Sequence, residues 1–246
     1  MSADPHIAPH PAPPPGTPGR EPPAPPPAQA SGTSPAVLAT ILATEHWSLL
    51  GTRGMLWNEL MSRISIHLTV SSASLVVLAL VAQATGFGAG FWVMAIGLAS
   101  MLLVLGSLTL LRVSIGSQED HLLIAGMNRL RGAYRDLAPG IDAAFVTSAS
   151  DDPEGTFVTY TLGARRPVLL HAVSSTAFFL TCFNSMVAGV LGALISSVSG
   201  GSTVLVVLVG TAAGVAYLVG STLTAGRIFG RLSAPARHAA SDAPDA

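Results

Sequence analysis

The stretch His67–Val113 reads HLTVSSASLVVLALVAQATGFGAGFWVMAIGLASMLLVLGSLTLLRV, with no acidic or basic side chain between His67 and Arg112. It divides at the glycine-rich ATGFGAG into two apolar runs of about twenty residues. At 1.5 Å per helical residue, each run can cross a hydrocarbon layer of about 30 Å. A second uncharged pair follows, VLLHAVSSTAFFLTCFNSMVAGVLGALI and TVLVVLVGTAAGVAYLVGSTLTAG. A soluble core is a poor home for four such runs in succession. The pattern predicts an all-α membrane protein with four transmembrane helices arranged as two hairpins, flanked by cytoplasmic amphipathic helices.

Composition agrees. Over 246 residues the mean hydropathy is +0.56 and only 10% of side chains are charged, which places most of the chain in lipid. All twelve basic residues are arginine and the formal net charge is -1, so nothing in the charge balance points to nucleic acid as a partner. The single cysteine, Cys182, lies within the third apolar run and has no intrachain partner.

Working outward, residues 1–34 hold twelve of the eighteen prolines. This predicts a disordered proline-rich tail, and the absence of an apolar core there predicts no cleavable signal peptide. Ser34 before Pro35 is an N-cap followed by proline at the first helical position, so residues 35–63 are expected to form an amphipathic helix in the cytoplasm or at the interface, with Gly51 and Gly54 as possible bends. Trp47 and Trp57 suit the preference of indole for the interface. Residues 64–113 are the first transmembrane hairpin and 114–166 a cytoplasmic helix and loop. The helix continues the second span and stops at Pro139-Gly140; Ser117 and Asp120 would alternatively cap a separate helix. Asp152-Pro153-Glu154-Gly155 reads as a turn between two short β-like runs, a small hairpin or ordered loop. Residues 167–226 are the second transmembrane hairpin and 227–246 a cytoplasmic tail. Arginines crowd the N-terminal flank, the central loop and the C-terminal flank, and neither short hairpin turn contains one. By the positive-inside rule this puts both termini and the central loop in the cytoplasm, in a bacterial inner membrane.

No Asp, Glu or Arg falls inside a span, which disfavours proton-coupled transport, pumping and voltage sensing. His67 and His171 lie at similar depth near the cytoplasmic ends of spans one and three. They could bind haem or a metal, although two interfacial histidines bonded to hydroxyls or headgroups explain them more simply. VSSAS after His67 echoes VSSTA after His171, as a duplicated hairpin would. Asn184 and Gln83 are the intramembrane amides, and Asn184 is expected to bond across a helix interface. Span four carries small residues at Ala212, Ala216, Gly220 and Thr224, beside a G-x-x-x-G at Gly210 and Gly214; both are expected to be packing surfaces, within the chain or between subunits. The His46-Glu45 pair and His121 beside Glu119-Asp120 read as solvated polar faces. No nucleophile elbow, Walker loop, zinc motif or dinucleotide fingerprint is present, so no enzyme is predicted.

The order from Thr44 to Asp151 is a Trp- and Arg-bearing helix, a short-turned two-helix hairpin, then the amphipathic GMNRLRGAYRDLAP. It resembles SLATT-type two-transmembrane modules of bacterial membrane proteins, and the chain is also similar to an uncharacterised family of small bacterial multipass proteins. The resemblance implies an oligomeric pore-forming or membrane-effector role with no catalytic residues to carry over. The expected function is therefore a structural, sensing or pore-forming membrane component that contacts the lipid bilayer and assembles as a homo-oligomer or with a partner membrane protein. Haem or metal binding through His67 and His171, and transport of a small neutral solute, are the alternatives.

Overall fold

The structure, a computed structural model, describes residues 33–164 and 167–232. The proline-rich tail, the Arg165-Arg166 pair and the segment beyond residue 232 lie outside the described residues. Six α-helices and one short 3-10 turn make up the fold: α1 Pro35–Thr85, α2 Ala89–Leu137, the 3-10 turn Ile141–Ala144, α3 Pro153–Thr161, α4 Val168–Val173, α5 Thr176–Val198 and α6 Thr203–Leu232. Four of them, α1, α2, α5 and α6, are long and apolar enough to cross a membrane.

No break separates residues 35–63 from the first span. α1 runs unbroken through 51 residues and α2 through 49, so each is about 75 Å long at 1.5 Å per residue. The bilayer accounts for about 30 Å of that. More than half of each helix therefore forms a two-helix stalk on the arginine-bearing side. Gly51 and Gly54 do not break the helix. Ser34 opens α1, its Oγ accepting from the Val37 N–H at 3.3 Å, and Pro139-Gly140 closes α2, with Gly140 at φ 95. Ser117 caps nothing; its hydroxyl donates to the Val113 carbonyl inside the continuous helix.

One seam joins the two helices from end to end. On α1 it descends through Leu56, Leu60, Ile64, His67, Ser71 and Ser74, and on α2 it returns through Ala99, Leu102, Gly106, Thr109, Val113 and Gly116. Steps of three and four residues are those of an antiparallel left-handed coiled coil. The stalk fills the seam with leucine and isoleucine, for which water supplies the drive. The span fills it with Ala, Ser and Gly, because lipid offers no such drive and close approach must replace it.

α5 packs against α2, and α6 against α5. The VSSTA echo of VSSAS is not structurally equivalent. Ser71 and Ser74 lie within continuous α1, whereas Ser174 and Ser175 separate α4 from α5, with the Ser175 Oγ accepting from the Phe178 N–H at 3.2 Å. The β-like hairpin at 145–160 is also corrected. Asp152 is the N-cap of α3, its carboxylate accepting from the Gly155 N–H at 2.6 Å, and Pro153 occupies the first helical position. Asp-Pro starts turns and helices alike, and here it starts a helix.

The small residues of span four separate into two faces. Gly210 and Gly214 pack on α5 within the chain: a Cβ on Gly210 would lie 3.0 Å from the Gly189 carbonyl oxygen, and one on Gly214 2.9 Å from that of Ser185. Ala212, Ala216, Gly220 and Thr224 face outward and are exposed. Gly214→Leu is therefore expected to lower the melting temperature of the purified protein, at about 1–3 kcal/mol for overpacking. Gly220→Leu, whose Cβ meets nothing within 4 Å, is expected to leave it unchanged. Equal losses from both would mean that the outward stripe is also packed.

Candidate functional site

Two buried polar layers lie on the α1–α2 seam. The one inside the membrane gathers His67, Gly106, Ser107, Asn184 and Tyr217. Its geometry follows from Gly106: with no side chain there, the imidazole of His67 and the amide of Asn184 both settle over the α2 backbone. A Cβ at Gly106 would collide with Asn184 Oδ1 and lie 2.9 Å from His67 Cε1. His67 is fully buried, with its ring edge-on to Phe183 at a centroid distance of 5.3 Å. Asn184 is likewise fully buried.

A hydrogen-bond chain leads away from the amide. The Ser107 hydroxyl donates to the Leu103 carbonyl at 2.6 Å and lies 2.9 Å from Tyr217 Oη. A serine has one proton, so Tyr217 is the donor in that second bond. Its oxygen in turn accepts from Asn184 Nδ2 at 3.3 Å. Asn184 thus fulfils the expectation of bonding across helices, linking α5 to α6 and through Tyr217 to α2. Asn184 Oδ1 and both ring nitrogens of His67 have no hydrogen-bond partner. An unmade bond in such surroundings costs about 1–3 kcal/mol per group. The arrangement holds an imidazole and an amide together over one glycine.

The two histidines singled out from the sequence have different settings. His67 occupies this layer, enclosed by Gly106, Asn184 and Phe183. His171 falls in α4, and its side chain lies outside the described residues. A haem or metal on His67 would have to displace the amide or the phenyl ring. Gln83 is exposed near the end of α1.

The second layer, in the stalk, is one that sequence reading did not find. Asp120, read there as part of a solvated face, is completely buried. Its Oδ1 accepts from Arg53 Nε at 2.6 Å and from Trp57 Nε1 at 3.0 Å, and its Oδ2 accepts from the Tyr160 hydroxyl at 2.8 Å. Trp57 thus serves as a donor to this carboxylate. His121 stacks on the Tyr160 ring at 6.2 Å. Burial, followed by the bond to Asp120, pushes the Tyr160 phenol well above its usual pKa, so it stays a neutral donor. Asn128, also fully buried, completes the docking of α3: Nδ2 donates to the Ser150 carbonyl at 2.9 Å, and Oδ1 accepts from Arg131 at 2.7 Å and Thr159 at 2.9 Å.

Between the layers, Arg112 donates to Glu59 at 2.8 Å and to Glu119 at 2.9 Å, and Arg63 to Glu59 at 2.9 Å. The two guanidinium groups hold the Glu59 carboxyl down to about 2, from an ordinary 4.5. A depressed folded-state value means that this contribution is complete above about pH 4.5 and is lost as the pH falls towards 2. The acid limb of a stability titration is expected to flatten over that interval in Glu59→Gln. An unaltered acid limb would remove Glu59 from the account.

No family model, curated protein or solved structure matches the chain. Among the described residues no group of three or more His, Cys, Asp or Glu side chains could hold a metal.

Proposed function

We propose that this multipass membrane protein belongs to the bacterial inner membrane, with both termini and the central segment in the cytoplasm. There it acts as an oligomeric structural or sensing component without catalysis. The observation that carries this reading is the continuity of the α1–α2 seam from stalk to span. A rigid stalk joined without a break to the membrane bundle transmits a shift at one end to the other, because a packed seam moves in discrete steps and does not bend smoothly. α3 is docked on the same stalk through Tyr160 and Thr159, which bond to Asp120 and Asn128 of α2.

The test joins topology with dependence on the stalk. A C-terminal phosphatase fusion that works only outside the cytoplasm should be silent and a fluorescent-protein fusion bright. Proteins that co-purify in mild detergent should be retained by Gly220→Leu and lost from Asp120→Ala. An active phosphatase fusion would reverse the orientation, and co-purification indifferent to Asp120 would detach the stalk from the function.

A further inference from the structure

The inner face of α1 meets α2, but its outer face in the stalk has no partner among the described residues. That outer face repeats at Ile41, Thr44, Ser48, Gly51, Met55 and Asn58, again in alternating steps of three and four, and continues into the span at Ser62, Ser65 and Thr69. Every one of these residues is exposed. None is ionisable; the charges of the α1 stalk, at Glu45, Arg53, Glu59 and Arg63, all fall on other positions. Trp47 and Met61 flank the row, and the large apolar side chains here are well exposed, Trp47 at 72% and Met55 at 67%. Exposed apolar side chains in the spans have lipid to cover them. These lie in the stalk, where the alternative is water, so the patch marks an interaction site.

We propose that the outer face of α1 is the contact between copies of this chain, pairing two α1 helices parallel and in register. The inference rests on the oligomeric reading above and adds the face and the geometry. Three observations select a second copy over other occupants. Copies inserted by the same arginine pattern share one orientation, so a two-fold pair of them has its axis along the membrane normal and brings identical helices together in parallel. In such a pair every seam residue faces its own counterpart, so one charge on the row would meet a like charge. The row has none from Ile41 to Thr69. It also crosses from water into lipid without changing phase, so its partner must be a helix that makes the same passage, as α1 itself does. Asn58, the one amide in the row, would meet its counterpart and set the register. The exposed apolar side chains of this face offer on the order of 100 Å² apiece. Pairing Val37, Ile41, Trp47, Met55, Met61 and Ile66, all exposed, from each copy removes roughly 1,200 Å², above the scale of about 1,000 Å² at which specific interfaces begin.

The experiment is a disulfide scan of the full chain in native membranes. In a Cys182→Ser background, single cysteines replace Ser48, Met55, Asn58, Ser62 and Ser65 on the row, Thr52 and Glu59 beside it, and Ala216 on the outward face of α6. Oxidation should give cross-linked dimers strongly at the row positions and several-fold more weakly at Thr52, Glu59 and Ala216. Asn58→Glu, which sets like charges in register on an exposed position, should halve the protein mass measured in mild detergent while leaving membrane insertion and melting of the single chain intact. A flat cross-linking profile, a maximum at Ala216, or an Asn58→Glu protein of unchanged mass would overturn the proposal. So would row cross-linking abolished by deleting residues 1–32, because the tail would then be what organises this face. Recovery of the polypeptide in the supernatant without detergent would instead defeat the membrane reading itself.

Discussion

Gly106→Val is expected to produce the largest loss of stability of any single substitution in the membrane bundle. Its Cβ alone would collide with Asn184 Oδ1 and sit 2.8 Å from Asn184 Cγ and 2.9 Å from His67 Cε1. Neither neighbour can retreat freely, since both are fully buried and Asn184 is tied to Tyr217. Overpacking of a close-packed site costs about 1–3 kcal/mol, and displacing the amide adds the loss of its bond to Tyr217, on the order of 1 kcal/mol. The predicted sum is about 3 kcal/mol, read as a lower melting temperature in detergent with earlier release of the second hairpin. A paired change distinguishes a local collision from general damage. Asn184→Ala removes the side chain that Gly106→Ala would strike, so the double variant should be more stable than the two single losses imply. Strict additivity would mean that Gly106 and Asn184 do not share this space.

Asp120→Ala is expected to have the largest effect in the stalk. It strips the acceptor from Arg53, Trp57 and Tyr160 at once. Breaking a buried pair by removing one partner costs about 3–5 kcal/mol. Arg53 retains 33% of its side-chain surface in water, so it can turn outward, and the loss should fall nearer 2–3 kcal/mol. Limited proteolysis should show cleavage between residues 138 and 164 as α3 detaches, and the emission of Trp57 should shift to the red. Asp120→Asn, which keeps an acceptor for two of the three donors, should be intermediate. Unchanged protease resistance in Asp120→Ala would assign the docking of α3 to Asn128 instead.

The spans, their pairing into hairpins and the helix limits at Ser34 and Pro139 were legible because lipid makes simple demands: length, absence of charge, and breakers at the ends. Asn184 was legible as an interhelical contact for a related reason, since an amide in hydrocarbon must find a partner. Asp120 was not, because an acidic residue beside glutamate and histidine reads as solvated when each helix is considered alone. The signal lay in the phase of the seam. Continuing the three-and-four spacing of Val113 and Gly116 reaches Asp120, and continuing that of Leu60 and Leu56 in the other direction reaches Arg53, so a charge of each sign falls where a leucine is due. Gly106 escaped notice because a glycine in a span is unremarkable until its neighbours are known. α3 was misread because its Val and Thr residues favour strands in a short window, whereas its docking on Asn128 is a tertiary effect.

Because α1 and α2 adjoin in sequence, the ribosome has released all of the first hairpin before any part of α5 is made. The seam that sets His67 over the bare backbone of Gly106 therefore lies wholly within the part of the chain made first. The later hairpin adds Asn184 over the side chain missing at Gly106. A chain arrested after residue 176, once the ribosome has cleared the C-terminal end of α2, should already carry a protease-resistant stalk.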